Sequence, residues 1–160
     1  MNIESVPIKF PEGANIIFGQ SHFIKSVEDL HEIMATAAPA IKFGIAFSEA
    51  SGPSLIRHSG NDPDLTKQAV ENLTRLASGH TFLIIMTEAF PIHVLNAVKA
   101  CPEVCRVFCA TGNHVSALVV RNEEGGGVVG VIDGLKPKGV ETEADQEVRR
   151  NFLRTIGHKL

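Results

Sequence analysis

Two short apolar runs, residues 41–47 (IKFGIAF) and 81–86 (TFLIIM), constrain the fold of this chain more than any other feature. Apart from Lys42 and Thr81 neither run presents a polar face, which predicts strands at the centre of a sheet covered on both sides. The flanking stretches carry helical spacing and supply the cover. From Ser26, the expected N-cap, residues Val27, Leu30, Ile33, Met34 and Ala37 repeat on one helical face until Pro39 stops them. Asp62 or Pro63 opens a second helix, with Leu65, Ala69, Leu73, Leu76 and Ala77 inward and Gly79 closing it. A third begins near Pro91 and ends before Pro102. A fourth spans about residues 141–156, with acidic Glu141, Glu143 and Asp145 leading and Arg149, Arg150 and Arg154 trailing, as the helix dipole favours.

The remaining strands are shorter or more polar. Residues 2–10 and 15–18, separated by a turn at Pro11–Gly13, predict an opening antiparallel hairpin, and residues 104–109 a further strand followed by a loop at 110–113. Residues 115–120 and 128–132 predict a second hairpin across the polar, glycine-rich turn 122–127. Gly125, Gly126 and Gly127 are not read as a phosphate loop, because no Lys-Ser or Lys-Thr follows and the next element is a strand. With 160 residues there is material for one core. The expectation is a single domain over residues 1–160, an α/β layered sandwich with a mixed β-sheet and flanking helices.

Chemistry gathers where the first apolar run ends. Residues 48–62 (SEASGPSLIRHSGND) read as one loop, with Glu49, Ser51, Gly52, Arg57, Asn61 and Asp62 as one wall of a pocket beyond the carboxyl end of a strand. A plain turn-forming loop has the same composition. Arg57 can pair with a phosphate or simply with Glu49. Carboxylates at strand ends, here Glu49, Asp62 and Asp133, can hold a magnesium ion or take a proton from a ribose hydroxyl, although Asp62 before Pro63 also suits a helix cap. His80, between Gly79 and the second apolar run, is the most suggestive histidine: a general base, a phosphoryl acceptor, a metal ligand, or equally a half-buried residue bonded to a carbonyl. His22, His31 and His158 read as surface. Without an HxxxH or HxH spacing no dedicated metal site is expected. Cys101, Cys105 and Cys109 read as buried structural thiols rather than a disulfide framework. A net charge of -3 offers no basic footprint for nucleic acid. No run approaches the ~18 apolar residues of a membrane span and the N-terminus carries no signal segment, so a cytoplasmic protein is expected.

The motifs GIAFSEASGPSLIRHSGND (44–62), SGHTFLI (78–84), FPIHVLNAVKACPEVCRVFCATGN (90–113) and GVVGVIDGLKPKGVE (127–141) resemble the adenosine-specific kinase family over nearly the whole chain. That resemblance implies an α/β fold, binding of adenosine or AMP, a homotrimer, and a catalytic or phosphorylated histidine at His80. Joined to the residues themselves, it leads to an expected catalytic set of His80, Glu49 and Asp62. The expected substrate-binding set is Ser51, Gly52, Arg57, Asn61, Asn113 and Asp133, with Mg2+ entering alongside a phosphate donor. The sequence carries no Walker loop, ribokinase-like glycine signature or protein-kinase set. A sensor or carrier that holds adenosine or AMP without turnover is therefore the alternative, and a structural oligomer the third reading.

Overall fold

A computed structural model describes residues 2–160 as strands β1 (Ile3–Ile8), β2 (Asn15–Ser21), β3 (Lys42–Ser48), β4 (Ile56–Gly60), β5 (Thr81–Thr87), β6 (Val104–Thr111), β7 (Val115–Arg121) and β8 (Gly126–Asp133), and helices α1 (Ser26–Ala37), α2 (Pro63–Leu76), α3 (Pro91–Ala100) and α4 (Glu143–Thr155). A five-stranded sheet in the order β4-β3-β5-β2-β6 lies beside a three-stranded sheet in the order β1-β7-β8. The apolar runs stand where their composition requires: β5 is flanked by β3 and β2 and buried along six of its seven residues. Helices α1 and α3 cover one face through Val27, Leu30, Met34, Val94 and Val98, which meet Ile17, Phe43, Phe47 and Phe82. Helix α2 and the small sheet cover the other, where Leu65, Leu73, Ala117 and Val119 meet Phe18, Ala46 and Leu83.

The layered α/β class stands, but the expected mixed sheet does not: every pairing of named strands is antiparallel. The reason lies in the crossovers. Helix α1 carries the chain from β2 to β3 and α3 carries it from β5 to β6, yet each crossover skips one strand position, and an antiparallel strand fills the gap. This is the split βαβ arrangement of ferredoxin-like sheets.

The opening hairpin is likewise replaced. β1 pairs with β7, Ile3 opposite Val120 and Ile8 opposite Val115, while β2 lies between β5 and β6. β2 buries Ile16, Ile17 and Phe18 on alternating sides and can only sit centrally, whereas β1 buries Ile8 alone and suits an edge. The predicted hairpin of β7 and β8 is present. Asp62 caps α2 by accepting from the amides of Asp64 and Leu65, and Pro63 takes the first turn. That helix ends at Ala77, whose left-handed φ of 47° makes the turn assigned to Gly79. Of the cysteines, Cys101 and Cys109 are buried and Cys105 is exposed. Burial pushes the Cys101 thiol up to about 11 and that of Cys109 to about 12, so both stay protonated and inert. His31, expected at the surface, is half-buried, bonded to Ser59 Oγ and edge-on to Phe43.

Candidate functional site

The segment 48–62 is a β-hairpin rather than one loop. Ile56–Gly60 forms the edge strand β4 against β3, with Ser48 opposite Ile56, Phe47 opposite Arg57 and Gly44 opposite Gly60. The hairpin therefore divides the expected pocket wall. Glu49, Ser51, Gly52 and Arg57 stay at its turn, while Asn61 and Asp62 lie at the far end of β3, about 17 Å away at the usual rise per residue. Asn61 is occupied there: its Oδ1 accepts from Phe43 N at 2.8 Å and its Nδ2 donates to the Ile41 carbonyl at 2.8 Å. Asp62 is occupied as the α2 cap. Asn113 and Asp133, joined by a 3.2 Å hydrogen bond, also lie at that opposite end, beyond Thr111 and beside Val115. The nine expected site residues do not form one constellation.

Five of them do gather. Side chains directly opposite each other in a ladder share a face, and so do residues two apart along a strand, which puts Phe47, Glu49 and Arg57 together. The imidazole of His80 stacks on Phe47 with centroids 6.0 Å apart and planes 15° from parallel. His80 has a φ of +60°, an uncommon conformation for a side chain other than Asn, Asp or His. Its backbone is held at both groups, the amide donating to the Ser48 carbonyl at 2.7 Å and the carbonyl accepting from Ser21 N at 2.9 Å. The turn is tight as well: Gly52 and Ser54 have positive φ, and Ser54 N donates to the Ser51 carbonyl at 3.1 Å. Strained backbone of this kind concentrates at functional sites.

Glu49 Oε2 accepts from Leu55 N and from Arg57 Nη2, both at 3.1 Å. The Leu55 amide first, and the guanidinium second, hold its carboxyl below the usual carboxylate range. Glu49 is thus ionised and aimed, as a group that accepts from hydroxyls must be. Arg57 donates through Nη2 to Glu49, and its Nε is buried without a partner among the described residues.

Beside this corner opens a cleft of about 760 Å³, within the range of small-molecule sites. Ser48, Glu49 and Ile56 form one wall, Leu73, Ala77 and Ser78 another, and Arg121 with the hairpin turn from Asn122 to Val129 the third. Sequence reasoning passed over Ser78 and Arg121, left Ser48 out of the expected site and set the three glycines aside as a turn. The turn does not need them for its conformation: Asn122 closes it by accepting from the amides of Glu124 and Gly125, and none of the three glycines has positive φ. Gly126 is required instead by close approach, because a Cβ there would stand 2.8 Å from Arg121 Nη1 and Ser78 Oγ. Arg121 donates to the Ala77 carbonyl at 3.2 Å and to Glu4 at 2.9 Å, tying the hairpin to the C-terminus of α2.

Among the described residues, no cluster of three metal-ligating side chains forms at this corner. Among the described residues, metal-ligating side chains converge at Asp29, Cys101 and Glu103, and there the Lys25 ammonium already pairs with both carboxylates. The cleft brings Glu49, whose oxygen is committed to Leu55 and Arg57.

A family model described as adenosine specific kinase matches residues 6–159. The chain belongs to the adenosine-specific kinase family. Among solved structures, this family member is similar to the PH1918 protein from Pyrococcus horikoshii OT3, with 41% identity, 99% of this chain and 98% of that chain covered, and a TM-score of 0.95. No curated protein sequence matches it. The motif at 44–62 that carries the family resemblance builds the β3–β4 hairpin, and the motif at 78–84 sets His80 against it. Among the described residues of this adenosine-specific kinase family protein, no helix is long and apolar enough to cross a membrane.

Proposed function

We propose that the corner formed by Glu49, Arg57 and His80 binds adenosine and AMP and transfers a phosphoryl group to the nucleoside. The observation that carries this reading is the placement of an ionised carboxylate, a guanidinium and a pinned imidazole around Phe47 in a member of this family, with Glu49 shared between that corner and the adjoining cleft. Glu49 accepts from ribose hydroxyls and Arg57 contacts phosphate. The Ser51–Gly52 turn closes over the ligand. His80 serves as base toward the attacking hydroxyl or as the nitrogen that carries the phosphoryl group between donor and acceptor. Asn61, Asp62, Asn113 and Asp133 take no part within one chain, because they stand at the other end of the sheets. The protein works in the cytoplasm as a homotrimer. The competing sensor or carrier reading draws on the sequence, which carries no Walker loop, ribokinase-like glycine signature or protein-kinase set.

Calorimetry with adenosine, AMP, ADP and ATP, followed by an assay for AMP formation, separates the two. His80→Asn is the matching variant, since Asn tolerates the left-handed backbone that the position demands. It abolishes AMP formation and leaves adenosine affinity within about tenfold, or 1.4 kcal/mol. Tight binding with no turnover in the parent gives the sensor reading the site, whereas full turnover in the variant makes His80 a binding or structural residue and leaves the transfer to other groups.

A further inference from the structure

We infer that the cleft beneath the glycine turn seats the purine base of the nucleoside, while its ribose and phosphate meet the corner of Glu49, Arg57 and His80. The inference rests on the nucleoside-binding part of the reading above and gives the base a place, which that reading leaves open.

Two glycines of the wall have no structural duty. Gly126 is required by its approach to Arg121 and Ser78, but a Cβ at Gly125 or Gly127 would meet nothing within 4 Å, and neither residue has positive φ. Gly127 lies inside β8, opposite Val120, where a glycine weakens the strand and commonly marks the close approach of a ligand or another backbone. Both glycines line the cleft. No aromatic side chain lines it, so a base has no ring to stack on there, and bare peptide planes let a flat heterocycle lie directly against the backbone.

The rest of the lining suits the uncharged end of a nucleotide. Leu73 of α2, Ile56 of β4 and Val129, which is 60% exposed, supply aliphatic faces. A polyphosphate finds no free cation. Arg121 is the one cationic side chain among the described residues of the lining, and its Nε, Nη1 and Nη2 already donate to Glu4, the Ala77 carbonyl and the Arg75 carbonyl. The carboxylates of Glu49 and Glu124 stand in the same lining and repel phosphate further. Glu49 joins the two regions, because it lines the cleft and also pairs with Arg57. A ribose held at its carboxylate has the cleft on one side for the base and Arg57 on the other for the phosphate.

Two variants test the placement. Gly127→Val adds a strand-favouring side chain at an open position, so the thermal midpoint holds while calorimetry shows adenosine affinity falling about tenfold or more. Thr74→Trp, on an exposed position of α2 that lines the cleft, gives a chain without Trp or Tyr a single indole. With adenosine in the cleft, that indole either changes its emission along the calorimetric binding curve or, by crowding the base, weakens binding. A Gly127→Val protein with the parental midpoint and parental adenosine affinity overturns the inference. So does a Thr74→Trp protein that binds adenosine as the parent does with constant emission, and if Gly127→Val lowers the midpoint the indole alone decides. A parent that binds neither adenosine nor AMP overturns the corner reading itself and this inference with it.

Discussion

Replacing Arg57 by Ala separates a phosphate contact from a structural ion pair. Its Nη2 donates to Glu49 Oε2 at 3.1 Å, in a pair whose side chains are 34% and 15% exposed. A partly exposed pair of that kind contributes little to stability, because solvent screens it. That loss falls on adenosine and AMP alike, because it loosens the hairpin before any ligand arrives. The second loss falls on AMP alone. A charge-assisted hydrogen bond to phosphate is worth about 1.5–3 kcal/mol, or roughly 10–150-fold in Kd. Adenosine binding survives because the Leu55 amide, the larger cause of the lowered Glu49 pKa, remains in place. Glu49 therefore stays ionised near neutral pH in Arg57→Ala. Calorimetric titration of the variant with both ligands gives the two numbers. Equal losses for adenosine and AMP would refute the phosphate contact and leave Arg57 as a brace for Glu49.

Two further outcomes probe the scaffold. Gly44→Ala places a Cβ 2.1–2.5 Å from the backbone of Leu65 and Thr66, where α2 rests directly on β3; a loss of about 3 kcal/mol, the top of the overpacking range, is expected in denaturant titration. An unchanged midpoint would mean that α2 can move off the strand. Glu103 is buried, and the Cys101 thiol first and Lys25 second lower its carboxyl to about 2 against the burial that opposes them. A depressed carboxylate contributes stability above its unfolded value of 4.5 that is lost as pH falls toward 2. Unfolding across that window is steep in the parent and shallower in Glu103→Gln, and identical slopes would remove Glu103 from acid lability.

The sequence alone determined what depends on neighbours a few residues apart. Helical faces, the Asp62–Pro63 start, the buried run of β5 and the turn-rich motif around Glu49 all follow from short-range periodicity and backbone preference, and each appears where it was expected. The family motifs were legible for the same reason, being contiguous. Partnership between distant segments was not. Whether β1 joins β2 or β7 depends on which strand can be buried on both faces, and whether the sheet is mixed depends on the strand that enters the gap left by each crossover. The same limit acted on the site. Residues 48–62 look like one pocket wall in a line of text, yet pairing in the β3–β4 hairpin sends Glu49 and Asp62 to opposite ends of a strand. The glycine wall stands more than seventy positions from Glu49 in the chain, and only packing against the end of α2 brings it to the cleft. Composition records which side chains are available to a site; the long-range ladder decides which of them can meet, because a strand delivers its residues to fixed ends and alternate faces.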